Sequence, residues 1–223
     1  MSNIFASSIG KKLIMSLAGL FLIVFLVVHL CINLSLIFSD SREVFNKAAH
    51  FMSSNVLIKI FEVILFGGFI LHMFYGILLQ IKNWFARGRR YRIENFSQTS
   101  FFSKFMIHTS FIILVFLVMH LMDFYFKAKI FGDVPDVVYK GKLYHDLGIM
   151  VIEKFKIPGF VIFYIICFVF LAFHLLHGFW SAFQTLGLDH KVYTPVIKAA
   201  GILYTILVVA GFTFIPVYIY FYM

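Results

Sequence analysis

Four histidines lie inside long apolar stretches of the sequence: His29, His72, His120 and His174. Each belongs to a different stretch of the sequence. A polar imidazole at such depth in apolar surroundings is costly unless it has a partner. Imidazole is also a good ligand for iron and other transition metals. The four histidines are therefore the first candidates for chemistry, although a lone buried histidine more often serves helix packing.

The depths of these histidines divide them into two layers. With a helical rise of about 1.5 Å per residue, His29 and His120 lie roughly 24 and 28 Å from the inner ends of their helices. On the same scale His72 and His174 lie roughly 15 and 14 Å from theirs. We therefore expect an outer pair, His29 with His120, and an inner pair, His72 with His174.

Glycine spacing supports the inner pair. Gly76 follows His72 by four residues and Gly178 follows His174 by four, so each glycine lies beside its histidine on one helix face. A glycine there leaves room for a flat group next to the imidazole. Two axial histidines per haem leave no open position on the iron, so such a centre transfers electrons. We expect two haems b, with His177 as an alternative inner ligand to His174.

Other polar residues of these stretches allow two interpretations each. His108 either contacts a haem propionate or lies at the membrane interface. Glu62 and Asp123, near the outer ends of their helices, either pass protons to a quinone or mark the interface. The arginines from Arg87 to Arg92 either set the topology or bind a cytoplasmic subunit or anionic lipid.

The elements that must hold these residues are membrane-spanning helices. The sequence is 62% hydrophobic, with only 13% charged residues, which indicates a membrane protein with several spans. The apolar runs are each long enough to cross a bilayer, and they cover about 13–37, 57–82, 101–126, 158–183 and 196–221. We predict an all-α fold in which residues 1–223 form one transmembrane domain of five helices around two stacked haems.

Charge and cysteine content indicate which kind of membrane protein this is. The net charge of +9 comes from residues between the apolar runs, which fits membrane topology and partner docking better than nucleic-acid binding. The positive-inside rule places the N-terminus and the basic loop 83–104 in the cytoplasm. Cys31 and Cys167 lie inside apolar runs, so we expect neither a disulfide framework nor a CxxCH haem attachment. The first run is too long for a signal-peptide core, and we take it as a retained span.

Short motifs along nearly the whole chain resemble one family. They are Ser16-x-x-Gly19, His29 with Asn33, Phe45-Asn46-x-Ala48-Ala49-His50-Phe51-Met52, His72-x-x-Tyr75-Gly76, His120, and His174-x-x-x-Gly178-x-Trp180. In this combination the chain resembles the cytochrome b membrane anchor of succinate dehydrogenase and fumarate reductase, in its single-subunit, five-helix, two-haem form. The resemblance implies His29 and His120 on the distal haem and His72 and His174 on the proximal haem. Candidates for haem-edge or propionate contacts are Ser16, Gly19, Gly76, His108, His177 and Gly178. His108 departs from the family, in which an arginine often stands near this position.

The resemblance further implies partners and a location. A flavoprotein subunit with covalent FAD and an iron–sulfur subunit would dock on the cytoplasmic face of a bacterial inner membrane. Electrons would pass to a quinone, menaquinone in most two-haem members, near the distal haem. Ala172 stands where some fumarate-reducing relatives have a glutamate for proton transfer, so the resemblance favours succinate oxidation. Whether the complex dimerises is left open.

Two other functions remain as alternatives at this point. One is the cytochrome b anchor of another quinone-linked dehydrogenase, such as a hydrogenase or a formate dehydrogenase. The other is a small transporter in which the histidines form a proton relay. A transporter of that kind would more typically contain a repeated half and broken helices, and the sequence has neither.

Overall fold

A computed structural model describes residues 7–39, 41–86 and 105–223. The described chain is mostly helical, with one small hairpin. Its elements are α1 (Ser8–Leu34), α2 (Glu43–Ser54), α3 (Val56–Ala86), α4 (Met106–His120, continued by π-helical turns over Leu121–Phe131), β1 (Asp136–Tyr139), β2 (Lys142–His145), α5 (Leu147–Phe155), α6 (Pro158–Thr185) and α7 (Tyr193–Tyr222). The predicted start of the third span at residue 101 and the basic cluster Arg87–Arg92 lie outside the described residues.

Helices α1, α3, α4 with its π-helical extension, α6 and α7 are long and apolar enough to cross a membrane. The described part of the chain thus has the five spans that the sequence predicted, and the protein is of the multi-pass membrane type. Many of their apolar side chains face outward, and none of the most apolar part of α3 is buried within the chain. Such a surface suits lipid as its solvent.

The ends of these helices follow local sequence signals. The hydroxyl of Ser7 accepts a hydrogen bond from the Gly10 amide at 3.0 Å and caps α1. Pro158 occupies the first turn of α6, where its missing N–H costs nothing. The π-helical extension of α4 ends at Gly132, whose φ of 64° lies in the left-handed region.

Helix α1 lies at the centre of the bundle. It packs against α3, α6 and α7, while α6 also packs against α4 and α7. The hydroxyl of Tyr204 on α7 donates to the Ile23 carbonyl of α1 at 2.7 Å. Gly211 brings α7 close to α1, since a Cβ there would lie 2.8 Å from the Leu30 side chain. The helices that carry the four histidines are thereby held around a common centre.

A polar cap covers the outer end of the bundle. It consists of α2, the β1–β2 hairpin and α5, which form within the two connections 39–55 and 127–156. The strands pair antiparallel, with Asp136 opposite His145. The sequence predicts an all-α chain with no elements in these connections, so the cap, and its hairpin above all, is an addition to that prediction. Their short lengths give weak periodic signals.

A buried hydrogen-bond network holds the cap together. Arg42 donates from Nη2 to Asp146 Oδ2 at 2.9 Å and from Nε to both carboxylate oxygens at 3.2 Å. Asn46, 1% exposed, donates to Asp146 Oδ1 at 2.8 Å and accepts from the Gly148 amide at 2.9 Å. Burial raises the pKa of Asp146, but hydrogen bonds from Arg42, Asn46 and the Ile149 amide outweigh it and lower the pKa overall.

Candidate functional site

The structure brings the four deep histidines together as two pairs. The ring centroids of His29 and His120 are 5.7 Å apart, and those of His72 and His174 are 6.1 Å apart. The partners in each pair come from different helices, α1 with α4 and α3 with α6. These are the pairs that depth predicted from the sequence. Their binding of iron stays a prediction.

The spacing within each pair suits two ligands on one metal. A metal–imidazole bond is about 2 Å long, so the centroids of two imidazoles on one metal lie roughly 6 Å apart. Among the described residues no three His, Cys, Asp or Glu side chains come together as a metal site. A haem supplies four ring nitrogens and takes only two axial ligands from the protein. The two imidazole pairs therefore fit haem iron better than a bare ion.

The tautomer of His72 is set by a backbone carbonyl. Its Nδ1 lies 3.2 Å from the Met15 carbonyl oxygen of α1. Because a carbonyl can only accept, Nδ1 carries the proton and Nε2 keeps its lone pair for a metal. Gly19, predicted as a haem-edge contact, makes this approach possible. A Cβ at Gly19 would lie 3.1 Å from Cε1 and 3.3 Å from Nδ1 of His72.

His174 has a comparable partner on α4. Its Nδ1 lies 3.4 Å from the hydroxyl oxygen of Ser110. The Ser110 hydroxyl donates to the Met106 carbonyl at 2.8 Å, so its oxygen is left to accept from His174 Nδ1–H. This again leaves Nε2 of the histidine as the free lone pair. Hydrogen bonds of this kind to the second ring nitrogen are typical of histidines that bind metals.

The outer pair lies among aromatic rings. Phe25 stacks on His29 at 5.3 Å between centroids, and Phe116 stacks on His120 at 5.7 Å. The hydroxyl of Tyr164, which is 2% exposed, lies 3.4 Å from His120 Nδ1. A phenol hydroxyl can donate or accept, so this contact positions the ring without fixing the tautomer. Aromatic rings therefore line the pair on both helices.

Space beside the inner pair comes from two glycines. A Cβ at Gly76 or at Gly178 would meet nothing within 4 Å, although both residues are half-buried. Helices α3 and α6 are not closely packed against each other in the described chain, even though their imidazoles meet. The gap between these helices is thus bridged by side chains rather than filled by backbone contact. The flat group expected beside these glycines stays a prediction.

The other candidate residues, His177, His108 and Ser16, lie outside the two histidine pairs. The ring beside His72 belongs to His174, and His177 is half-buried one turn further along α6. His108 is exposed at the start of α4, with Phe105 at 6.0 Å between centroids. It lies two residues from Ser110 and therefore on another face of the helix. Ser16, 5% exposed, follows Met15 on α1. Contact of these residues with a haem edge or propionate stays a prediction.

The two acids of the spanning helices are both in ion pairs. Glu62 on α3 accepts from Lys129 and from the Tyr125 hydroxyl, both on the π-helical part of α4. Asp123 Oδ1 accepts from Lys154 of α5 at 2.6 Å. Asp123 Oδ2 is the one buried side-chain polar atom of the described chain that has no protein partner. The ion pairs suit an interface role for both acids, but Asp123 keeps an unused oxygen.

No protein-family model, curated protein or solved structure matches the chain. The function is therefore inferred from the histidine pairs and the residues around them.

Sequence reasoning missed the groups that orient the imidazoles. Met15, Ser110 and Tyr164 each contact a histidine from a neighbouring helix. Ser110 was detectable as a hydroxyl within the third apolar run, and Tyr164 as a phenol within the fourth. A backbone carbonyl such as that of Met15 carries no sequence signal. Gly19, four residues after Met15, was the available indication of close approach there.

Proposed function

We propose that this chain is the dihaem cytochrome b subunit and membrane anchor of a succinate:quinone oxidoreductase, the class that includes succinate dehydrogenase and fumarate reductase. One observation carries the proposal. At two depths of one helical bundle, two imidazole rings face each other: His29 with His120, and His72 with His174. The family resemblance of the motifs supplies the particular reaction. The task proposed for this chain is electron transfer.

The side chains of this chain hold and orient the redox groups. His72 and His174 present Nε2 because their Nδ1 atoms are engaged by Met15 and Ser110. Haem b, bound by each imidazole pair, supplies a one-electron carrier with no open coordination position. Aromatic rings line the outer pair, and two haems in two layers would give electrons a path through the bilayer. A quinone, proposed as menaquinone, exchanges electrons near the outer pair.

The chemistry on the dicarboxylate belongs to partner subunits. A flavoprotein with covalent FAD and an iron–sulfur subunit would dock at the inner ends of the helices, on the cytoplasmic face of a bacterial membrane. The sequence between α3 and α4 is rich in arginine, and this composition suits contact with an acidic partner. Ala172 leaves α6 without an acid two residues before His174, which favours succinate oxidation as the working direction.

A reduced-minus-oxidised spectrum of the purified protein tests the proposal. We expect the bands of b-type haem with two haems per chain, each with two axial histidines. A His29→Ala variant should keep one haem, and so should a His72→Ala variant, because each removes one ligand of one pair. A folded protein without b-type bands would overturn the proposal and leave the proton-relay transporter as the better reading. Loss of both haems in either folded variant would contradict the two-pair arrangement.

A further inference from the structure

The two histidine pairs differ in their distance from acidic residues. In the described parts of the five spans the acids are Glu62 and Asp123, and both lie toward the outer end. Asp123 follows His120 by three residues and lies about one helical turn further out. The inner pair, His72 with His174, has no acid on its helices nearer than Glu62, ten positions before His72. The outer histidine pair therefore has acidic residues near it, whereas the inner pair has none on its helices close by.

The two acids differ in how many of their carboxylate oxygens accept a hydrogen bond. Both carboxylate oxygens of Glu62 accept from Lys129, and one also accepts from Tyr125. Asp123 has one bond, from Lys154 to Oδ1, while Oδ2 is buried without a protein partner. The side chains of Asp123 and Lys154 are only 17% and 18% exposed. An ionised carboxylate with an unpartnered oxygen in such surroundings is costly.

The surroundings of Asp123 link it to the outer pair. Lys154 on α5 and the phenol of Tyr164 on α6 are the charged or titratable groups that face it from the elements packed on α4. On its own helix, Lys127 is exposed. Tyr164 lies near Asp123, and its hydroxyl is 3.4 Å from His120 Nδ1. A negative charge added at the outer pair thus acts on Asp123 through a weakly screening interior.

We propose that Asp123 binds a proton when an electron arrives at the outer pair and releases it when the electron leaves. This inference rests on the proposed function. In the oxidised state Asp123 is a carboxylate paired with Lys154. With a haem held by the outer pair, one electron delivered from the iron–sulfur partner by way of the inner pair would add one negative charge there, and one proton from the outer aqueous phase would bind Asp123 Oδ2 and compensate that charge. The residue is a proton acceptor for electron transfer and does not ligate the iron.

Redox titration of the two haems at several pH values tests the proposal. Because the reduced state binds the proton more tightly, the midpoint potential of the outer haem should fall as the pH rises. The limit for one proton per electron is about 59 mV per tenfold change in proton concentration, and we expect at least half of it. The inner haem should show a much smaller slope. A His72→Ala variant, with only the outer haem, assigns the two potentials.

Asp123→Asn should abolish the slope of the outer haem and leave its spectrum unchanged. Glu62→Gln is the matched control, with an acid at the same end that is already fully bonded, and it should keep the slope. Lys154→Gln keeps the carboxylate and should move the sloping region to higher pH. It remains informative if Asp123→Asn does not fold.

An outer potential independent of pH in the unmodified protein would overturn the inference while leaving the haem assignment intact. A slope that survives in Asp123→Asn would overturn it as well, and so would a Lys154→Gln variant whose sloping region does not move. Absence of haem from the unmodified protein would instead contradict the proposed function, so the two failures are distinguishable.

Discussion

At the scale of single residues, the approach of His72 to α1 is the most constrained contact of the candidate site. The Met15 carbonyl lies within a helix, and its second lone pair accepts from His72 Nδ1. Access to that lone pair depends on the absence of a side chain at Gly19. A small residue on α1 therefore controls the tautomer and position of His72 on α3.

Gly19→Ala should weaken the inner haem. The new Cβ would lie 3.1 Å from the His72 ring, so the ring must shift away from the Met15 carbonyl. Loss of such a supporting hydrogen bond typically costs about 10–100-fold in metal affinity. The measurement is haem retained per chain during dilution in detergent. Gly67→Ala is the control, since a Cβ at Gly67 meets nothing within 4 Å. Equal haem retention in the two variants would contradict the positioning role.

His174→Ala should remove the inner haem, whereas His177→Ala should leave it bound. The reason is that the ring of His174, with its partner Ser110, is the one that faces His72. Haem stoichiometry of the two purified variants decides the matter. One haem lost in the His177 variant alone would reverse the assignment.

The sequence could predict the histidine pairs because depth along a helix follows directly from residue number. It could not predict the Nδ1 partners. Those depend on the rotation and register of neighbouring helices, as with Ser110 on α4 and His174 on α6. Asp123 was visible as a candidate, but its unpartnered Oδ2 depends on where Lys154 is placed by α5.

At the scale of elements, the π-helical part of α4 begins directly after His120. Widened helical turns of this kind occur often at functional sites. Here they place Tyr125 and Lys129 together on Glu62 of α3. The same segment carries Asp123 to Lys154, so two neighbouring helices are joined to α4 just outside the outer pair.

The polar cap should lose stability in acid through Asp146. Its pKa is lower in the folded protein than the ordinary value of about 3.9, because its hydrogen bonds outweigh the effect of burial. The stabilisation is therefore fully present above that ordinary value and is lost as the pH falls through the lower, folded value.

Asp146→Asn is the variant that isolates this effect. At pH 7 it should lower the apparent unfolding temperature in detergent, with a cost of about 1–3 kcal/mol for the lost charged hydrogen bonds. The difference from the unmodified protein should narrow as the pH falls below the ordinary aspartate pKa of about 3.9. Thermal unfolding of both proteins across this range provides the measurement, and a constant difference would contradict the role given to Asp146.

The spanning helices were the most predictable elements and the cap was the least. An apolar run long enough for a bilayer has few alternatives, and the predicted bounds of the fourth span, 158–183, agree with α6 within two residues. The third span ends at Phe131 rather than near 126, since the π-helical extension continues it past His120. The elements of the cap are short, and long-range bonds such as Asn46 to Asp146 stabilise them.

At the scale of the whole molecule, an odd number of spans places the two ends of the chain on opposite sides of the membrane. In the proposed orientation the N-terminus and the turn between α6 and α7 are cytoplasmic, and the cap is outside. The inner histidine pair is then the one nearer the proposed iron–sulfur partner.

Cysteine labelling tests this orientation. In a background with Cys31→Ser and Cys167→Ser, a membrane-impermeant maleimide on intact cells should label Lys142→Cys in the hairpin. It should not label Asp189→Cys in the turn between α6 and α7. Both positions are exposed, so accessibility within the protein is matched. Inverted vesicles should give the opposite pattern, and labelling of Asp189→Cys alone on intact cells would invert the proposed topology.

The bond from Arg42 to Asp146 joins residues 104 positions apart in the chain. A ribosome adds about 5–20 residues per second, so Arg42 is made roughly 5 to 20 s before its partner exists. During this interval α1 and α3 can enter the membrane while the hairpin and α5 of the cap are still missing. The cap is therefore completed late in biosynthesis, after both histidines of the outer pair have been synthesised.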